Sequence, residues 1–160
     1  MQISETGILA QGDRGTTRAI LTFGYVLALQ AGGLLATCRA GSTKDGDDER
    51  IEFRRSDDGG RTWSAPWRPF EPTTLNGKLG TLKLCYLTEL SPGRILAATM
   101  WIDRTSYPGQ PLFSAETEGC LPMEILLAES RDEGQSWSAW RHVPMPDEIG
   151  PASLTSPILK

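Results

Sequence analysis

The chain has 160 residues, 39% of them hydrophobic, and a formal net charge of -4 from 16 basic and 20 acidic side chains. That is enough for one domain with a sizeable core and too apolar for a disordered segment. The mixed, slightly acidic balance leaves no basic footprint for nucleic acid or an anionic membrane surface, and no run is long enough to span a bilayer.

The start, from Met1 to Glu5, lacks a cationic stretch followed by an apolar one, so the chain reads as cytoplasmic, or as a mature part whose signal was removed. Cys38, Cys85 and Cys120 are odd in number and widely spaced, which suggests neither a disulfide framework nor a metal site. Reduced, mostly packed thiols are expected. His142 is the only histidine, so a two-histidine metal cluster within this chain is excluded. A Ser-His-Asp triad would have to use His142, against the plainer reading of a surface or interstrand histidine. No metal and no organic cofactor is indicated.

Taken in order, the pattern predicts strands over residues 18–29 (with a break near Gly24), 34–39, 50–55 and 62–69, then over 82–90, 95–101, 123–129 and 136–143. Val, Ile, Leu, Thr and aromatic residues dominate these runs, Gly and Pro punctuate them, and nothing long repeats at helical spacing. The fold class expected is therefore all-β. Two self-similarities organise it. Tyr25 to Ala36 lines up with Tyr86 to Ala97 as strand, short Gly turn, strand. Downstream, Ser56-Asp57-Asp58-Gly59-Gly60-Arg61-Thr62-Trp63 returns as Ser130-Arg131-Asp132-Glu133-Gly134-Gln135-Ser136-Trp137. Both read S-x-D-x-G-x-[ST]-W. The Ser and Asp side chains can bond nearby backbone N–H groups, Gly supplies a positive φ, and Trp enters a core at the start of the next strand. The second pair of motifs stands farther apart than the first, and the excess falls in residues 103–121.

This octapeptide resembles the Asp box, or BNR repeat, of sialidases (neuraminidases) and related β-propellers, with Ser56, Asp58, Gly60, Trp63, Ser130, Asp132, Gly134 and Trp137 as its structural positions. The resemblance implies four-stranded antiparallel meanders as blades of a six-bladed propeller. Residues 17–70 would form one blade, 81–145 a second, and 151–160 would open another, the whole of 1–160 being a partial propeller. Two blades leave faces uncovered, so the remaining blades or self-association are expected to close the fold.

The first unit carries the resemblance further. In the family an arginine opens the blade, another follows the Gly-turn strand, and an acidic residue precedes an Arg-Arg pair that leads into the box. Here the string is Thr17-Arg18-Ala19-Ile20, then Thr37-Cys38-Arg39-Ala40-Gly41-Ser42-Thr43-Lys44-Asp45, then Phe53-Arg54-Arg55-Ser56. By that match Arg18 would be one of three arginines that clamp a sugar carboxylate, and Asp45 the catalytic general acid/base. A guanidinium forks onto a carboxylate with two charge-assisted hydrogen bonds, and aglycone departure needs a proton donor beside the glycosidic oxygen. Sialidases use a Tyr nucleophile, which the resemblance places, with its Glu partner and the other clamp arginines, in later blades.

Alternatives stand beside each assignment. Asp47 and Asp48 compete with Asp45, and the run from Asp45 to Glu49 also reads as a solvated acidic turn. Arg18 could be an ordinary strand-edge residue, and Arg39 either orients the acidic loop or pairs with it. In the second unit, Asp103 and Arg104 open the long insertion that also holds Tyr107 and Phe113; they would bind substrate at its rim or pin the loop. Two functions follow, beside a third reading of a structural blade pair that assembles with itself. One is an exo-sialidase-like glycoside hydrolase that releases terminal sialic acid or a related acidic sugar, with this portion alone inactive. The other is a non-catalytic Asp-box propeller that binds glycan or protein. Carbohydrate is the expected partner.

Overall fold

In the computed structural model, which describes residues 5–150 and 152–159, the described chain is all-β, in two curled antiparallel sheets. The first holds β1 (Ile20–Ala28), β2 (Leu34–Gly41) and β3 (Arg50–Ser56) in that order. The second runs β4 (Thr73–Leu75), β5 (Lys78–Leu82), β7 (Arg94–Asp103), β8 (Met123–Ser130), β9 (Arg141–Val143), with β6 (Tyr86–Ser91) also paired to β7. Within it β6 to β9 form the expected meander. Most of the start of the chain, Met1 to Ser4, and Pro151, which opens the expected further unit, lie outside the described residues. Beyond Pro151 the chain runs against the second sheet, where Thr88 Oγ1 donates to the Ile158 carbonyl at 2.6 Å and Leu154 packs by Met100 and Ile102.

Both sheets are built on strands buried on two faces: β7 holds only Thr99 as a polar residue between Ile95 and Trp101, and β2 is buried from Leu35 to Gly41 even at Thr37 and Arg39. Leu35 and Thr37 of β2 face the second sheet: Leu35 is fully buried in the shared core, and Thr37 Oγ1 donates to the Cys85 carbonyl at 2.6 Å. Phe53 of β3 is fully buried there too, its ring 5.6 to 5.9 Å from those of Trp67, Phe70 and Trp137. A second cluster of Leu84, Met100, Ile102, Leu112 and Met123 covers the other face of β7. Apolar burial on both sides of the sheet thus fixes its register.

The two octapeptides form the same turn. Ser56 Oγ donates to Asp58 at 2.8 Å and accepts from Gly60 N, while Asp58 accepts from Thr62 N at 2.9 Å and from its hydroxyl; Ser130, Asp132, Gly134 and Ser136 repeat the set. Gly60 and Gly134 sit at φ of 91° and 88°, where a side chain would be strained. Each Trp caps its turn by donating its indole N–H to that glycine's carbonyl. Arg55 then joins the turns through Glu133, at 3.0 Å.

These bonds hold both aspartates well below the usual carboxylate range; Asp132 falls to about 2, first through the Ser136 hydroxyl, then its N–H and Ser130. A depressed folded pKa stabilises the fold fully above the unfolded value near 3.8, and that contribution is lost as pH falls through about 2. Asp132→Asn is therefore expected to lower the melting temperature at pH 6, with the gap to wild type narrowing steadily between pH 4 and pH 2. A gap independent of pH, read by circular dichroism melts, would rule out the carboxylate charge as the cause.

Several boundaries differ from expectation. The stretches after the two turns are shorter as strands: residues 62–69 hold only the Phe53–Trp67 bridge, and the last strand is confined to Arg141–Val143. Pro66 and Pro69 remove ladder donors from the first stretch, and in the second the Ser138 hydroxyl replaces a backbone partner of Glu129 N. Residues 82–90 are two pieces, since Leu82 ends β5 and a new strand starts at Tyr86. The hairpin β4–β5 was not expected at all. The break near Gly24 is a bulge between Thr22 and Tyr25.

Candidate functional site

Arg39 lies near the end of β2, on the face that looks at the second sheet, and its side chain is 1% exposed. The loop from β2 to β3 carries Asp45, and Glu49 ends it just before β3 begins. Across the gap the chain between β5 and β6 brings in Lys83, also buried. Apolar neighbours Leu82 and Leu84 anchor that segment in the two cores, which leaves Lys83 directed into the space between the sheets.

Four charged groups meet there. Arg39 Nη2 is 3.3 Å from Asp45 Oδ1, and Lys83 Nζ is 3.9 Å from the same oxygen. Glu49 pairs with Lys83 through Oε2, and its Oε1 stands 2.9 Å from Arg39 Nε as a charge contact. The Nε proton itself points to Thr22 Oγ1 at 3.1 Å, so Glu49 Oε1 has charge beside it but no directed hydrogen bond. Nη1 and Nη2 of Arg39 also donate to the carbonyls of Lys83 and Lys44. Burial pulls the Arg39 and Lys83 values down and pushes Glu49 up, in each case against the attraction of the opposite charges around it. Asp45 differs from the other three in reaching solvent, with 22% of its side chain exposed.

Arg104, at the end of β7, closes the upper side. Its guanidinium donates to Thr81 Oγ1 at 3.2 Å, the Gln110 carbonyl at 2.6 Å and the Asp45 carbonyl at 3.2 Å, and pairs with Asp47 at 2.9 Å. Gly109 N donates to the other Asp47 oxygen. The insertion of the second unit is thus fastened onto the acidic loop of the first, and Arg104 holds both. Asp47 serves that fastening. Asp48 accepts from Ser42 N, inside its own loop.

Arg39, Asp45 and Arg104 are therefore brought together, while Arg18 and Asp103 are not part of the cluster. Arg18 forks onto Glu52 with three bonds of 2.9 to 3.0 Å, and Arg68 pairs with the same carboxylate at 2.7 Å. Glu52 stands opposite Cys38, one residue out of phase with Arg39 and Ile51, so this trio occupies the other face of the first sheet. Burial pushes the Glu52 carboxyl up, but the bonds and charges of Arg18 and Arg68 together outweigh it and hold it below the ordinary value. Burial pushes Asp103 up, but the Ser106 bonds and Lys78 outweigh it and hold it at about 2, which pins the start of the insertion. His142 pairs with Glu124 at 2.8 Å on β8 and β9. Cys38 and Cys85 are buried and Cys120 is exposed, all three free.

Glu49 and Lys83 were not among the sequence candidates. Lys83 carried a signal, a lone cation inside Leu82-Lys83-Leu84-Cys85, which is an unfavourable place for a charge unless a partner meets it.

No family model matches the chain, and no curated protein matches its sequence. Among solved structures it is similar to "Hadza microbial sialidase Hz136", with a TM-score of 0.59 and 18% identity over 79% of this chain. The matched part is 26% of that structure, so this chain spans about a quarter of it. Two curled antiparallel sheets, packed face to face and joined by matching turns, together with that likeness, give the chain a sialidase-like fold, part of a β-propeller.

Proposed function

We propose that this chain contributes the general acid/base side of an exo-sialidase-type glycoside hydrolase that releases terminal sialic acid or a related acidic sugar. The observation that carries this reading is the position of Asp45. It is the one member of the four-charge cluster that reaches solvent, and Arg39 and Lys83 fix its carboxyl from behind. A carboxyl so placed can give its proton to a glycosidic oxygen as the aglycone leaves, then take one from the water that completes hydrolysis. Arg104 and Asp47 keep the loop in position. The nucleophile, its Glu partner and further carboxylate-binding arginines would come from residues outside this chain, so the activity proposed belongs to the protein that carries it.

A second reading, a glycan- or protein-binding propeller without hydrolysis, is favoured by Arg18. Its Nε and Nη2 are both taken by Glu52, so as placed it does not offer a free fork to a sugar carboxylate. The experiment that separates the two is release of a fluorophore from an aryl sialoside by the protein that carries this chain. Steady turnover is expected. Tight sialoside binding without turnover would favour the binding propeller.

A further inference from the structure

Phe23 is an aromatic residue held where aromatic residues do not rest. Its φ is 51°, in the left-handed region, within the bulge where Phe23 and Gly24 together stand opposite the single residue Cys38. Bulky side chains avoid that conformation because the Cβ crowds the backbone, and the neighbouring glycine would adopt it freely. The strain has a visible result. It carries the ring over Arg39, whose guanidinium carbon lies 4.8 Å from the ring centroid, while 44% of the residue stays exposed. Arg39 in turn holds Asp45. The ring and the candidate acid thus touch the same buried guanidinium, and a cleft of about 460 Å³ opens at the ring, lined by Gly7 to Ala10, Leu21 to Tyr25 and Cys38. Bulges recur beside active sites, where they re-aim a side chain.

We infer that Phe23 is a binding residue, an aromatic wall on which the apolar face of a pyranose ring stacks beside Asp45. This rests on the reading that Asp45 faces a sugar. Packing within this chain does not require the ring in that place: its outer surface contacts solvent, and Arg39 already has Glu49, Asp45, Thr22 and two carbonyls as partners. A ring held against a buried guanidinium while nearly half of its residue stays exposed has the character of a stacking platform.

The test uses N-acetylneuraminic acid as probe on the protein that carries this chain, with Phe23→Gly and Phe23→Leu. Glycine relieves the left-handed backbone, so the melting temperature of Phe23→Gly is expected to hold or rise, while affinity for the sugar falls roughly 3- to 10-fold, as loss of one aromatic contact implies. Phe23→Leu is expected to weaken binding similarly, and the ring signals of Phe23 to shift on titration of wild type. Unchanged affinity in Phe23→Gly, unmoved ring signals at saturating sugar, or a marked fall in its melting temperature would each overturn the inference, the last by making the ring a structural cap on Arg39. Sugar bound through Phe23 without sialoside turnover would remove the hydrolase reading and leave the stacking site standing.

Discussion

Glu49→Ala is expected to cost the fold about 3–5 kcal/mol, the usual penalty for removing one partner of a buried ion cluster. The side chains of Glu49, Arg39 and Lys83 are each 1% exposed. Without the carboxylate, two buried cations face each other with only Asp45 between them. Neither can reach water, and the guanidinium cannot shed its proton. A domain of this size has a total stability on the order of 5–15 kcal/mol, so the variant would be near unfolding. The effect should be reduced in the double variant Glu49→Leu with Lys83→Met, which removes the Lys83 charge together with its partner and refills the space with apolar groups. Urea unfolding measures both. A single-variant loss below about 1 kcal/mol would mean that the cluster is hydrated and contributes as a surface pair does.

Asp45→Asn is expected to lower turnover of a sialoside by roughly 10²- to 10⁴-fold, the range for losing a positioned general acid/base. The carboxamide keeps an acceptor oxygen for Arg39 Nη2, so the melting temperature should move little. A leaving group that departs readily needs less help from a proton. The loss should therefore be larger for an alkyl sialoside than for an aryl one, and that ordering distinguishes lost proton transfer from misplaced substrate. Equal losses on both would assign Asp45 to binding. Asp47→Asn acts differently in this account, since Asp47 bonds Arg104 and Gly109 N and its replacement loosens the loop.

What could be read in advance was whatever the local chain decides. The Ser, Asp, Gly and Ser/Thr groups that close each turn lie within four residues of one another, so Ser56, Asp58, Ser130 and Asp132 announced their geometry. The paired strands of the sheets followed from apolar runs between Gly turns. The hairpin β4–β5 also had a local signal that went unused: Asn76-Gly77, at φ of 51° and 76°, is the dipeptide that favours a two-residue turn. Its strands are short and half polar, which hid them. The cluster was harder for another reason. Glu49 and Lys83 lie 34 positions apart, and Arg104 meets the Asp45 carbonyl from 59 positions away. Those pairings exist only once two sheets have packed. The same holds for Arg18, whose type and place in the string suggest a clamp while packing against β3 delivers it to Glu52.

The measurement that bears most directly on the account is a crystal structure of the protein that carries this chain with a sulfur-linked sialoside, in which sulfur stands for the glycosidic oxygen and resists cleavage. The sugar is expected beside the ring of Phe23, with an Asp45 carboxyl oxygen within about 3–3.5 Å of that sulfur, the reach a proton transfer needs. A sialoside seated elsewhere, or bound with Asp45 still turned to Arg39 and away from the linkage, would contradict it.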